Sequence, residues 1–555
     1  MTKTTGARYL AQAVHGYGLT HIFYMPYVMP PAILEMDKLG VHAIQSHGEK
    51  AAAYMADAYS RVRRGPSLVM CQSVGAANLA AGLQDAYLAC SPVIALSGCE
   101  RYFHQNRHSY QEVDHVQPFA AVTKYQACVH TADMLPQQLR QAFRSAVSGT
   151  PGPVHLDFER IDGGHISEGE LEADLIVEHQ FKGYPPFRPV ADPATIAKAL
   201  ELLGTASRPV IVAGGGVTAS DARGELIALA EKLSIPVATA LNAKAMFPAD
   251  HPLAIGTPGN YSRECTNRIL CQADMVFFIG SHTGGQLTHD FRIPPQGTRA
   301  IQLDINGEEI GRNYTVEVGL QGDAKASLAA MIEAASPGPD RVDWLTEVQG
   351  MVARWKDSVE EHWNSDWSPL RPERICRELS EHMPADTILV SDTGHSGVWT
   401  GTMLDLKHPT QSYLRCAGSL GWGLPASLGA KCAAPDRPVL CFTGDGGIWY
   451  HIAEIETAVR ENLNVVILVN NNHSLNQEKN GVESYEGQSD ATDRQWLFPD
   501  ADFAKIAESM GALGLTVDKP GDLEGALDKA FSANRPVVVD VKSHIDAIAP
   551  IAWLP

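Results

Sequence analysis

The triplet Gly444-Asp445-Gly446 is followed by 24 residues and then by Asn471-Asn472. Each motif closes a short apolar run, 439–443 and 465–469, of the length expected for a buried parallel strand that ends in a turn. Residues 451–460, between the runs, carry helical spacing. Strand, helix and strand in that order place both strand ends at one edge of a parallel sheet, where α/β sheets take their ligands. No other feature constrains the chain as strongly, because it demands a parallel sheet and puts hard oxygen donors at its edge. Asp445 and Asn472 supply a carboxylate and an amide oxygen of the kind Mg2+ prefers. Gly444, Gly446 and Gly447 leave the backbone open to an approaching anion, which a helix N-terminus also favours.

The same rhythm runs through the N-terminal third. Helical spacing at 7–17, 51–61, 78–89 and 136–147 alternates with strand-like runs at 21–24, 67–72, 92–97 and 153–158, which predicts a doubly wound parallel sheet. A polar Gly-, Glu- and Pro-rich stretch, 162–193, reads as a linker. A second α/β unit opens with the strand 209–212 and Ala213-Gly-Gly-Gly-Val217, and ends near Ser336-Pro-Gly-Pro339. A third runs from about residue 373 to the end. The expectation is an α/β protein of three doubly wound parallel-sheet domains, 1–165, 190–340 and 365–555, since 555 residues exceed one core. A net charge of −20 argues against nucleic acid and anionic membranes. The ten cysteines form no CxxC and no zinc signature. No apolar run of about 18 residues predicts a membrane span, and the N-terminus lacks the apolar centre of a signal peptide. A cytoplasmic location is expected.

Glu49 stands where a strand yields to a helix, so its carboxyl can project into a cleft whose apolar walls would raise its pKa toward general-acid values. The stretch Glu49-Lys-Ala-Ala-Ala-Tyr-Met-Ala-Asp-Ala-Tyr-Ser-Arg61, with the Gly444-to-Asn472 motif, resembles the family of thiamine-diphosphate (ThDP) enzymes that includes acetohydroxyacid synthases, pyruvate oxidases and 2-oxo-acid decarboxylases. The resemblance spans about 5–545 and implies ThDP and Mg2+ as cofactors. It makes 1–165 the pyrimidine-binding domain, 190–340 a central domain and 365–555 the diphosphate-binding domain. Asp445, Asn472 and the carbonyl of Ser474 would hold the metal. Glu49 would hydrogen-bond the cofactor's aminopyrimidine and drive its tautomerisation. The segment 75–88 would face the cofactor, and Asp392-Thr-Gly394-His395-Ser396 would touch the diphosphate. In Gly418-Ser-Leu-Gly-Trp-Gly-Leu-Pro425, the Gly418 carbonyl would accept from the cofactor's amino group and Leu420 would wedge its two rings apart. In that family Glu49 and Asp445 of two chains meet, which implies a homodimer at least and a homotetramer as the expected assembly.

The branch is less typical. Tyr110-Gln-Glu-Val-Asp114 resembles the synthase Phe-Gln-Glu segment, which makes Gln111 a candidate beside the reacting carbon. Bulky Tyr24, Tyr27 and Val28 stand where synthases carry a small, Gly-rich loop; with Gln72, Gln111, Gln286 and Leu475 they make up the expected substrate pocket. Gln286 stands where a synthase arginine would hold a second oxo acid. His395 and His473 are candidate proton relays. The loop 473–478 lacks the synthase Gly-Met-Val run, and 446–452 is faintly similar to cyclic-diketone-cleaving relatives. In the central unit Gly214 to Gly216, Asp304-Ile305 and Gly322-Asp323 resemble FAD contacts. Gly256-Thr-Pro-Gly259 and Gly280-Ser-His282 depart from them, leaving FAD, ADP or an empty pocket open. The expected activity is a C–C lyase or carboligase acting on a 2-oxo acid or dicarbonyl, in acetolactate-synthase-like chemistry but not acetolactate synthesis itself, with an aldehyde as acceptor. A non-oxidative 2-oxo-acid decarboxylase is the alternative, and a binding protein that lost turnover the reading of another class.

Overall fold

The computed structural model describes residues 2–555. It contains three six-stranded sheets whose strand pairs are all parallel. In the first the order is His42–Gln45, His21–Tyr24, Ser67–Cys71, Val93–Cys99, Val154–Glu159, Tyr125–Val129. In the third it is Ser412–Arg415, Ile388–Ser391, Val439–Gly444, Val466–Asn471, Val537–Lys542, Leu513–Val517. Counted within each unit, both follow the order 2-1-3-4-6-5, a shared topology that no sequence repeat betrays. The central sheet follows 3-2-1-4-5-6, from Pro209–Ala213 outward, the order of dinucleotide-binding folds. Strands such as Val439–Gly444 and Val93–Cys99 are buried nearly throughout, because helices cover both faces, and this is why they read as continuous apolar runs rather than alternating ones.

The three domains share cores. The helix Glu49–Arg63 lies against Gly423–Ala433, and one apolar cluster joins Ala52, Met55 and Tyr59 to Leu428, Cys441 and Ile467. A second joins the central and third sheets through Val276, Trp399 and Leu440. Part of that bridge is the 22-residue helix Val342–Trp363, whose Trp344, Val348, Met351, Trp355 and Val359 recur at three- and four-residue spacing and are buried. Neither this helix nor Pro30–Lys38 is expected from the sequence, whereas the strand expected just before Glu49 is the edge strand His42–Gln45. The expected linker 162–193 also proves structured at its start. Gly164–Glu168 is helical, Glu170–Ala173 pairs antiparallel with Thr2–Thr5, and Leu171 and Phe181 enter the first domain's core. Its polarity reflects a surface ribbon, not a free tether. The helix expected at 451–460 is shorter, Glu454–Arg460, preceded by a four-residue turn Asp445–Ile448 and a 3-10 turn Trp449–His451.

His155 lies in the first sheet, 2% exposed and stacked 3.6 Å from the Phe119 ring. Burial, reinforced by His115 and opposed by Asp157, pushes its pKa down to about 4. The folded state thus keeps this imidazole neutral where the unfolded chain, with a pKa near 6.5, binds a proton, so stability present above pH ~6.5 is lost as pH falls toward 4. The destabilisation caused by His155→Gln is therefore expected to shrink by about 2 kcal/mol between pH 7.5 and pH 4.5, read from urea unfolding. A constant penalty would show that the imidazole is not held neutral.

Candidate active site

In open α/β sheets the ligand crevice forms where neighbouring strands send their connections to opposite faces. In the third sheet that place lies between Ile388–Ser391 and Val439–Gly444; it carries the Gly444-Asp445-Gly446 motif, and Asn471-Asn472 closes the adjoining strand Val466–Asn471. Asp445 is 4% exposed. One carboxylate oxygen accepts from the Gly446 N–H at 2.9 Å and the other from the Ser474 N–H at 2.7 Å. Ser474 Oγ donates to Asn472 Oδ1 at 2.8 Å, which ties the two asparagine-loop residues to each other. Gly446 and Gly447 are packed by the protein itself: an added Cβ would lie 2.4 Å from the Leu475 side chain at the first and 2.7 Å from Thr443 Oγ1 at the second. Burial drives the Asp445 pKa up to about 7 despite its hydrogen bonds. Among the described residues no ion pair reaches this carboxylate, and on the neighbouring strand, where Asn470 pairs with Gly444, Asn470 Oδ1 is buried without a hydrogen-bond partner. Oxygen acceptors in excess and positive charge in deficit fit a hard divalent cation. Among the described residues no group of three or more His, Cys, Asp or Glu could hold a metal, so a centre here would rest on amide and carbonyl oxygens beside one carboxylate.

Asp392 anchors the neighbouring loops. It is 1% exposed and accepts from the N–H groups of Thr393, Gly421 and Gly423 at 2.8, 3.0 and 3.0 Å and from Thr443 Oγ1 at 3.2 Å. Burial outweighs these donors and raises its pKa to about 6. The 417–423 loop is also gripped by the first domain: Asp85 accepts from the N–H groups of Ala417 and Ser419, and Asp57 from Trp422 Nε1 at 3.0 Å. Gly418 and Leu420 sit on this loop, exposed and half-buried. Gly394 and His395 open the helix His395–Thr402. Burial lowers the His395 pKa to about 4, so its ring is neutral at neutral pH. His473 has a left-handed backbone, φ 60°, and its Nδ1 lies 3.4 Å from the Asp500 carboxylate. Leu475 packs over Gly446, and its N–H donates to the Trp496 carbonyl at 2.7 Å.

A second cluster forms at the corresponding edge of the first sheet. Glu49 opens its helix, half-buried. It lies so close to Gly75 that a Cβ there would sit 2.2 Å from Glu49 Oε1, which is why the turn Ser73–Gly75 ends in glycine. Asn78 Nδ2 donates to the other carboxylate oxygen at 3.2 Å. The same turn holds Gln111: Ser73 Oγ donates to the Gln111 carbonyl at 2.6 Å, while Gln111 Nε2 lies 3.5 Å from Gln72 Oε1 and Gln111 Oε1 is buried without a partner. Tyr24 is half-buried at the end of its strand, and Tyr27 is exposed. Val28 is not a pocket residue in this arrangement: it is 1% exposed and belongs to the first domain's core, turned inward ahead of the helix Pro30–Lys38. Gln286 lies elsewhere too, on the wall of the central cavity described next.

That cavity, about 560 Å³, opens at the central sheet's own crossover point and is walled by all three domains, including Arg64, Gly215, Gln286, Asp304 and Arg415. Burial raises the Asp304 pKa to about 6. The glycines beside it have a packing duty first, since a Cβ on Gly214 would lie 2.2 Å from the Gly280 carbonyl oxygen. Within one chain, among the described residues, no hydrogen bond or ion pair joins the Glu49 cluster to the Asp445 cluster. Sequence reasoning missed Ser73, His115 and Asp157, which underlie Gln111. They come from separate segments and carry no local signal.

Comparison with known proteins agrees with this geometry. Residues 4–117 match the family described as "Thiamine pyrophosphate enzyme, N-terminal TPP binding domain", 196–331 its "central domain", and 392–541 its "C-terminal TPP binding domain". The chain is 32% identical over 552 residues to a probable acetolactate synthase large subunit of Methanocaldococcus jannaschii, covering 97% of this chain and 91% of that protein. It is 30% identical over 554 residues to the acetolactate synthase large subunit of Corynebacterium glutamicum, covering 97% and 86%. It is 32% identical over 522 residues to the sulfoacetaldehyde acetyltransferase of Alcaligenes xylosoxydans xylosoxydans, covering 89% and 84%. With ThDP-binding domains at both ends, a central domain between them and relatives aligned along nearly its whole length, the chain belongs to the thiamine-diphosphate-dependent enzymes of the acetolactate-synthase-like group, whose chemistry is that of carboligases and lyases.

Proposed function

We propose that this enzyme cleaves a 2-oxo acid or related dicarbonyl and passes the retained fragment to a carbonyl acceptor, in a reaction other than acetolactate formation. The observation that carries the reading is Asp445, a buried carboxylate that no basic side chain pairs with among the described residues, set beside Asn472 and Ser474 at a sheet crossover. Asp445, Asn472 and the Ser474 carbonyl would hold Mg2+, and through it the cofactor's diphosphate. When bound, ThDP supplies a nucleophilic carbon that adds to a carbonyl and takes up the electron pair released as the adjacent C–C bond breaks. Glu49 holds and exchanges a proton at its carboxyl, steadied by Asn78 and by the bare backbone of Gly75. Gln111, whose Nε2 lies near Gln72, offers an N–H donor that orients the substrate's oxygens.

One feature supports transfer to an acceptor over release of an aldehyde. His395 is held neutral by burial down to about pH 4 and is a weak proton donor at neutral pH. Gln286 stands in the sequence where a synthase would carry a cationic side chain, and that departure supports a reaction other than acetolactate formation, while its place in the fold is the wall of the central cavity. That no hydrogen bond or ion pair joins Glu49 to the Asp445 cluster within one chain, among the described residues, supports a homodimer in which each site draws on both chains. The exposed Tyr102, Phe103, Tyr110 and Val113 flanking Gln111 are suited to burial there, and a tetramer would pair such dimers. The central cavity is of a size and wall chemistry that suit an adenine nucleotide, FAD or ADP. Absorbance near 450 nm in the purified protein would identify FAD.

Proton NMR of reactions containing ThDP, Mg2+ and a panel of 2-oxo acids, each with and without an aldehyde, tests the reading. A hydroxyketone formed only with the aldehyde present is expected. A free aldehyde as the sole product would make the enzyme a decarboxylase, and acetolactate from pyruvate alone would make it a synthase.

A further inference from the structure

Gln111 has a left-handed backbone, φ 58°, which a non-glycine residue holds only where its surroundings over-determine it. Behind it runs a buried polar chain. Ser73 Oγ, whose single proton goes to the Gln111 carbonyl at 2.6 Å, lies 3.4 Å from His115 Nε2. His115 Nδ1 lies 3.3 and 3.2 Å from the two oxygens of the Asp157 carboxylate. A carboxylate only accepts, so Nδ1 carries the proton and this fixes the ring; the 3.4 Å approach of Nε2 to Ser73 Oγ is then a packing contact, because the serine's one proton goes to Gln111. Ser73, His115 and Asp157 are 1%, 2% and 4% exposed. Asp157 sits on the interior strand Val154–Glu159, where Ser97 on the adjoining strand donates to it at 2.7 Å and His155 Nε2 meets Ser97 Oγ at 2.7 Å. Burial would push the Asp157 carboxyl up, but the His115 hydrogen bond, the two imidazoles and Ser97 outweigh it and hold it below its ordinary range.

This is a Ser-His-carboxylate series, yet no nucleophile is exposed, because the serine hydroxyl ends on a backbone carbonyl. Its consequence is geometric. The rigid sheet fixes Asp157, Asp157 fixes the His115 ring, and the ring backs Ser73, which closes the 111–115 turn from both ends. The turn Ser73–Gly75 also abuts Glu49 through Gly75, so one three-residue segment references Gln111 and Glu49 to each other. The rest of the 102–114 segment is largely on the surface, with Tyr110 76% exposed, and offers Gln111 little apolar support.

We propose that Ser73, His115 and Asp157 form a positioning relay that holds the Gln111 side chain in register with Glu49, so that the buried sheet and not the surface loop sets the substrate-facing geometry. The inference rests on the reading of Gln111 as a substrate-facing residue. It is tested in the full-length holoenzyme with Ser73→Ala, Ser73→Thr, His115→Phe, Gln111→Ala and the Ser73→Ala/Gln111→Ala double variant. Hydrogen–deuterium exchange and steady-state turnover of the 2-oxo acid or dicarbonyl that the NMR panel identifies are the two readouts. Ser73→Ala and His115→Phe are expected to speed amide exchange across 105–116 while leaving the helix Glu49–Arg63 unchanged. Turnover should fall by about 10²-fold, as small misplacements of a positioned group do, with KM little altered. Ser73→Thr, which keeps the hydroxyl, should retain most activity. The double variant should be no slower than Gln111→Ala alone, since two parts of one device do not add.

Additive losses in the double variant, or native exchange and turnover in Ser73→Ala beside an impaired Gln111→Ala, would overturn the relay. Full turnover in Gln111→Ala would instead remove the substrate-facing role of Gln111. The exchange data would then judge the relay alone, and unchanged exchange in Ser73→Ala would end it. Ser73→Ala deletes one oxygen, so this arm stands even if His115→Phe does not fold.

Discussion

Replacing Glu49 by glutamine is expected to lower turnover by about 10²- to 10⁴-fold, the range lost when a positioned acid–base group is removed. Glutamine keeps the side chain's length and an oxygen for the Asn78 amide, and it fits beside Gly75 as the carboxyl does. It cannot exchange a proton. The groups proposed to anchor the cofactor lie on the Asp445 side, so its dissociation constant, followed by fluorescence titration with ThDP and Mg2+, should change far less than kcat. Loss of binding in parallel with loss of turnover would make Glu49 an anchor rather than a proton-exchanging group, and full turnover in the glutamine variant would remove it from the chemistry altogether.

Asp445→Asn should act at the opposite end. The carboxylate is nearly fully buried and accepts two backbone N–H bonds. Asparagine offers one oxygen where two are needed and turns an N–H2 group toward a donor. It also removes the one negative charge in a cluster otherwise made of neutral amide and hydroxyl oxygens. Even residues that merely support metal ligands cost 10- to 100-fold in affinity when replaced, so a direct ligand should cost at least about 10²-fold in apparent Mg2+ affinity. Turnover should fall with it and recover only partly at high Mg2+. Calorimetric titration of Mg2+ in the presence of ThDP separates this from a folding defect. Unchanged Mg2+ affinity would remove Asp445 from the metal site. The pair of variants thus distinguishes proton exchange at Glu49 from anchoring at Asp445.

How far the chain could be read in advance varied with the range of the forces involved. The strands at 439–443, 465–469 and 209–212 were legible because a strand covered by helices on both faces must be apolar at every position. The start of the helix at Glu49 was displaced by only two residues from the spacing. The helix Val342–Trp363 escaped notice, although its buried residues recur regularly, because its apolar stripe is thin and spread over a charged surface. The 162–193 stretch was misread for a related reason: it packs through Leu171 and Phe181 and a two-strand ribbon, while most of its side chains face water. Val28 was placed in the pocket from its position in a loop, but a left-handed turn at Met29, φ 36°, sends it into the core.

The local sequence was enough to determine the parallel-sheet class, the edge at which Asp445 and Asn472 stand, and the junction that presents Glu49, because strand, turn and helix signals act over a few residues. Only the tertiary structure decided which groups meet there: Gly75 against Glu49, Asp392 stapling three loops, Gln286 in the central cavity, and Ser73, His115 and Asp157 behind Gln111. Those contacts join segments tens to hundreds of residues apart, and their existence depends on sheet order and domain packing, which no local pattern encodes.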